Sequence, residues 1–205
     1  MSPESDFPIT PERPDSPVHM QGVDHITLIG SNEADTIEFY RDLLGMPLVL
    51  RQPNLDDPNQ THLFFDTGDG RILTFFVAPD RQSNAQPHRH RVGSVHHLSF
   101  KMNAEDFEDT KQALNEAGHG FNEFDRGIFH SLYTRDHNGL TIELSADKFE
   151  FPEDRRGEVL AKAQELREAD GVDFAEERHL EQALDELGID AEKNELPDAP
   201  TGTGV

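Results

Sequence analysis

The sequence predicts an α+β fold in which two paired βαβββ modules form a cupped mixed β-sheet, with C-terminal helices added. Three observations predict it. A strand-then-helix pattern near residue 25 is echoed about 72 residues later. Each copy is trailed by three short alternating segments. After residue 153 the apolar spacing becomes helical throughout.

The elements follow in order. Residues 1–20 hold five prolines (Pro3, Pro8, Pro11, Pro14, Pro17) among Ser, Asp and Glu. So little apolar surface cannot offset the entropy of ordering, which predicts a flexible arm. The first module spans 21–78. It opens with a strand over Gly22–Leu28, then a helix from Asn32 to Leu44 with Ile37, Tyr40 and Leu44 on one face and Gly45 as stop. Strands are expected at Leu48–Arg51, Thr61–Asp66 and Arg71–Ala78, the last two joined by Gly68-Asp69-Gly70. Residues 79–92 read as a polar linker. The second module, 93–148, repeats the order: a strand at Ser94–Phe100, then a helix with Phe107, Thr110, Leu114 and Ala117 on one face and Gly118 as stop. Strands follow at Phe121–Phe124, Ile128–Arg135 and Leu140–Ser145, the last pair turning through Asp136-His137-Asn138-Gly139. Residues 149–194 form a helical appendage, with one helix over Glu158–Ala169. A second follows a capping-box pattern at Asp173–Glu176 and carries Leu180, Ala183, Leu184 and Leu187, with Gly188 as stop. Residues 195–205 read as a loose tail.

Composition narrows the function. Forty-one acidic residues against 18 basic ones give a formal charge of −23, which argues against nucleic acid and anionic membrane surfaces as partners. No apolar run approaches the length of a bilayer span, and the N-terminus lacks the pattern of a secretory signal, so a cytoplasmic location is expected. The chain has no cysteine, which removes disulfides, thiolate metal sites and cysteine nucleophiles. The 5 Lys and 13 Arg sit among carboxylates spread along the whole chain, a pattern expected of a halophilic protein adapted to dense salt.

Three side chains stand out. Along a strand, alternate residues share a face, so His25 goes with Thr27, His97 with Ser99, and Glu143 with Thr141 and Ser145. A carboxylate in the strand Leu-Thr-Ile-Glu-Leu needs compensation, since burying it unpaired costs several kcal/mol. Arg126 or Arg135 would provide that, and so would a metal. Two imidazoles and one carboxylate on separate strands, at corresponding places of two repeats, match the donor set of non-haem Fe(II) oxygenases.

The runs Val23-Asp-His-Ile-Thr27, Phe39-Tyr-Arg-Asp-Leu-Leu-Gly-Met46, Val95-His-His-Leu-Ser-Phe100 and Asp136-His-Asn-Gly-Leu-Thr-Ile-Glu-Leu144 resemble the vicinal oxygen chelate superfamily of glyoxalases, fosfomycin-resistance proteins and extradiol dioxygenases. Asn54-Leu-Asp-Asp-Pro58, Thr61-His-Leu-Phe-Phe65 and Arg71-Ile-Leu-Thr-Phe-Phe76 are most similar to the branch that cleaves hydroquinone-type rings. The resemblance implies a cup around one metal held by His25, His97 and Glu143. The implied ion is Fe(II), with Mn(II) as alternative, and the implied partners are O2, a dihydroxylated aromatic and a second copy in a homodimer. Tyr133, Arg126 and His96 match catalytic positions, although strict alternation turns His96 away from His97. Thr27 matches a pocket position, His62 sits on the face assigned to the cleft, Thr74 is expected to line it, and Phe64, Phe76 and Phe129 are expected at its rim. Thr74 stands where glyoxalases place a fourth ligand, which favours a dioxygenase. Asp24 and His137 depart from that branch, which has His and Pro there. The alternatives are a glyoxalase-like lyase, an epimerase, a thiol transferase and a metal-free small-molecule-binding protein. His88, His90, His119, His137 and His179 are expected to be solvated.

Overall fold

The computed structural model describes residues 8–87 and 91–199. The start of the arm, His88, His90 and the end of the tail lie outside the described residues. Residues 8–20 form no helix or strand.

The first module runs β1 (His25–Ile29), α1 (Glu33–Ile37), β2 (Leu48–Pro53), β3 (Thr61–Asp66) and β4 (Ile72–Val77). The second runs β5 (His97–Lys101), α2 (Phe107–Glu116), β6 (Asn122–Asp125), β7 (Phe129–Arg135) and β8 (Thr141–Asp147). The appendage adds β9 (Phe149–Glu150), α3 (Arg156–Asp170), α4 (Glu177–Leu187) and β10 (Glu192–Lys193).

The strands form two four-stranded mixed sheets of the same topology, β1-β4-β3-β2 and β5-β8-β7-β6, rather than one continuous sheet. In each, the first strand lies parallel to the last, so the module's helix serves as crossover. The first helix departs from expectation. It begins on an Asn32 cap whose side chain accepts the Asp35 amide. It then widens to a π-helical turn over Glu38–Leu43, where the Leu44 amide donates to Phe39 O at 3.0 Å.

Register divides each sheet cleanly in two. Leu63, Phe65, Leu73, Phe75 and Val77 on one face of the first sheet join Leu132, Ile142, Leu144 and Ala146 on one face of the second in a single buried cluster with Tyr40, Phe107 and Leu114. Both modules therefore spend their apolar faces on one shared core. The contact is pinned by polar groups. The Tyr40 hydroxyl donates to Asp136 Oδ2 at 2.9 Å, and Thr36 Oγ1 lies 3.1 Å from His137 Nε2. Burial, reinforced by Asp136, raises the Tyr40 pKa well above its ordinary value.

The appendage has its own core of Phe149, Val159, Ala163, Leu180, Ala183 and Leu184. Its second helix is capped one turn later than the sequence suggested. Glu176 is the cap, and its amide donates to His179 Nδ1 at 2.8 Å. His179 is thereby buried at 1% exposure, and His137 is half-buried, so neither is solvated as expected. A local capping role and an inter-module role explain why they left the surface. Leu196 packs on the main core, so the described part of the tail is not wholly loose.

Candidate metal centre

The face of the second sheet turned from the core carries most of the candidate site residues. Glu143 sits on the central strand β8, opposite Tyr133 on β7 and Ser99 on β5. The carboxylate is 2% exposed. Its Oε2 lies 3.0 Å from His97 Nε2, and its Oε1 accepts a short hydrogen bond from the Tyr133 hydroxyl. Arg126 Nε donates to the same hydroxyl at 3.0 Å, and the guanidinium lies over the Phe124 and Tyr133 rings at 5.1 and 4.8 Å. Burial, with the hydrogen bond to Glu143, raises the Tyr133 pKa although Arg126 opposes it, so the phenol keeps its proton at neutral pH.

The β6–β7 turn that carries Arg126 is held from outside the module. Gly127 has φ +80°, and a Cβ there would meet the Ala175 carbonyl at 2.2 Å, so only glycine admits this approach. At the far end of the same face, Asp147 accepts from Arg156 at 2.7 Å and pairs with Lys101 at 3.0 Å. The C-terminal helices thus wall one end of the site.

His96 lies just before β5, where strand alternation does not govern, and its Nδ1 is 2.8 Å from His97 Nδ1. That removes the alternation difficulty and makes His96 a neighbour of the candidate ligand.

The corresponding face of the first sheet holds His25, Thr27, Thr74, Phe64, Phe76 and His62. Thr74 Oγ1 donates to Thr27 Oγ1 at 2.8 Å, which links β4 to β1 across this face. The His62 ring lies 4.0 Å from Phe64 and 4.3 Å from Phe76, and its buried Nε2 has no hydrogen-bond partner. Burial, then repulsion from His25, lowers the His62 pKa. The His25 side chain is 53% exposed and pairs with Asp24 at 2.6 Å.

His97 and Glu143 fit a divalent ion in donor type and approach, and Tyr133 and Arg126 join them. His25 does not. Among the described residues no group of three His, Asp or Glu is close enough to hold a metal. The shared core explains why. Both candidate faces are turned from it, so His25 lies apart from His97 and Glu143 within one chain.

Sequence reasoning passed over Ser131 and considered Arg135 only as a partner for Glu143. Both share the Glu143 face by register, and Ser131 is buried with its hydroxyl unpartnered. Strand alternation from Tyr133 pointed to both.

A profile of the Glyoxalase/Bleomycin resistance protein/Dioxygenase superfamily matches residues 22–144, more than half of the sequence, and the chain belongs to that superfamily. A Bacillus subtilis (strain 168) protein named ring-cleaving dioxygenase MhqO is 40% identical over 58 residues, which cover 27% of this chain and 19% of that protein. The match thus spans about a fifth of the relative. Metallothiol transferase FosB of Staphylococcus haemolyticus (strain JCSC1435) is 31% identical over 134 residues, covering 64% of this chain and 87% of the relative. Among solved structures, a Bacillus subtilis protein described as a dioxygenase superposes with a TM-score of 0.53 at 27% identity, over 64% of this chain and 42% of that one. No helix among the described residues is long and apolar enough to cross a membrane.

Proposed function

We propose that the chain is a metal-dependent ring-cleaving dioxygenase acting on a dihydroxylated aromatic, with His97 and Glu143 of one copy and His25 of a second copy holding the ion. One observation carries this reading: a buried carboxylate held between an imidazole nitrogen and a tyrosine hydroxyl that an arginine braces. A structural partner alone would satisfy Glu143, but the imidazole nitrogen, carboxylate and phenol that converge here are also the donor types of a metal and substrate site. Fe(II) is the assigned ion, with Mn(II) as alternative; when bound it supplies Lewis-acid and redox chemistry.

The chain's own groups do the rest. Tyr133 holds its proton and donates it as a hydrogen bond, first to Glu143 and then to a substrate oxygen. Arg126 fixes the phenol oxygen and steadies negative charge developing beside it. His96 sets the orientation of His97 through the Nδ1 contact. Phe64, Phe76 and the His62 ring offer an aromatic wall to a planar substrate. A neutral threonine hydroxyl at position 74, a poor ligand for a divalent ion beside a carboxylate or imidazole, supports three protein donors rather than four.

A second reading, a metal-dependent thiol transferase, is favoured by the coverage of FosB, 87% of its length. The test loads the protein with Fe(II) anaerobically in molar KCl and then presents a panel of catechols and hydroquinones with and without O2. Ring cleavage requires O2 and adds two oxygen atoms to the product mass. A product that forms without O2 and contains an added thiol selects the transferase instead.

A further inference from the structure

We propose that the substrate carries an anionic group, a carboxylate on its aromatic frame, and that Arg135 binds it. The proposal rests on the ring-cleaving reading for the aromatic part only. Its anion is argued from charge and space.

The Glu143 face has two ends. Moving along β8 from Glu143 toward Asp147, the rungs pass Ser145, opposite Ser131, and then reach the Arg156–Asp147–Lys101 ion cluster where the appendage closes the face. Moving the other way, the next rung is Thr141, opposite Arg135, and it opens into a cavity of about 510 Å³. Tyr133, Arg135, Thr141, His119 and the Asp136 carboxylate line that cavity, and Ala85 of the linker borders it; the Asp136 oxygens are already taken up by the Tyr40 hydroxyl and the Asn138 and Leu140 amides. A ring engaged at Tyr133 therefore has room to extend a substituent toward Arg135 and nowhere comparable in the opposite direction.

Arg135 is equipped for an anion. The side chain is exposed, and no carboxylate lies within ion-pair reach of its guanidinium among the described residues. That is notable where acidic residues outnumber basic ones 41 to 18 and all five lysines sit in ion pairs. The backbone carbonyl of Arg135 accepts from His119 Nδ1 at 3.2 Å, so an imidazole borders the same space. A planar guanidinium matches a carboxylate through two parallel hydrogen bonds. Against a net charge of −23, an anionic substrate needs such a local positive group to enter at all.

Direct binding tests this without turnover. Titration calorimetry on the full-length, metal-free protein, at fixed ionic strength, compares 2,5-dihydroxybenzoate with hydroquinone. The carboxylated probe is expected to bind about tenfold more tightly. Arg135→Gln is expected to erase that preference while leaving hydroquinone affinity unchanged, and Arg135→Lys to restore part of it. Equal affinity for the two probes, no binding of either at millimolar concentration, or a preference that survives Arg135→Gln would overturn the proposal. An Arg135-dependent preference with no ring cleavage would retain the anion site and reject only the reaction.

Discussion

If His25 reaches the ion from a second copy, two dead variants make a live enzyme. Glu143→Gln removes the carboxylate from one part of the centre, and His25→Ala removes the imidazole from the other. Each homodimer then contains two broken centres. A heterodimer of the two puts both lesions into one centre and leaves the other intact. Tagging the variants differently, co-expressing them and purifying through both tags yields the heterodimer alone. Tightly bound Fe(II) and activity should then return to about half the wild-type value per chain, and an unsorted random mixture should reach about a quarter. Metal content by elemental analysis and O2 uptake on the same sample provide independent readouts. A heterodimer that binds no more metal than its parents refutes the shared centre. So would a wild-type protein that stays monomeric by sedimentation while binding one ion per chain.

Four further outcomes are expected. Tyr40→Phe strips a hydrogen bond at 2.9 Å from a buried carboxylate at the module contact, costing about 1.5–3 kcal/mol and lowering Tm by roughly 3–12 °C in a calorimetric scan. Gly139→Ala places a methyl 2.0 Å from the Gln86 carbonyl at φ +81°, a loss of roughly 2–4 kcal/mol that a urea midpoint will report. His137, whose pKa burial lowers despite Asp136, Asp35 and Glu38 nearby, binds its proton more weakly folded than unfolded; its contribution is complete above about pH 6.5 and is lost as pH falls below it. Tm should therefore drop less between pH 7 and 5.5 in His137→Asn than in the parent. Raising KCl from low to molar concentration should raise Tm, and a flat response would make the acidity ordinary rather than an adaptation to salt.

Much of this architecture could be read from the residues. Thr61–Asp66 is a strand with the predicted bounds, because its alternation is strict and turn residues flank it. Leu180, Ala183 and Leu184 are buried as their helical spacing required, and Gly188 ends the helix at φ +62°. The π-helical turn at Glu38–Leu43 was not legible, since α and π turns share nearly the same apolar stripe. Nor could periodicity show which module meets which. It grouped His25 with Thr27, His97 with Ser99, and Glu143 on the face away from Ile142 and Leu144, as the register has them, yet a face has no address, and only the packed core reveals that those faces do not meet within one chain. His137 and His179 were misjudged for the same reason, because their partners come from a distant helix or a local cap rather than from any repeating pattern.

The two Nδ1 atoms of His96 and His97, 2.8 Å apart, share a single hydrogen when both rings are neutral. While His97 Nε2 faces Glu143 as a donor, that hydrogen belongs to His96. Once His97 Nε2 must offer its lone pair to a cation, the hydrogen has to sit on His97 and the neighbouring ring must shift to its other tautomer. Replacing His96 would thus free the His97 tautomer from its neighbour while leaving the candidate donor set the same.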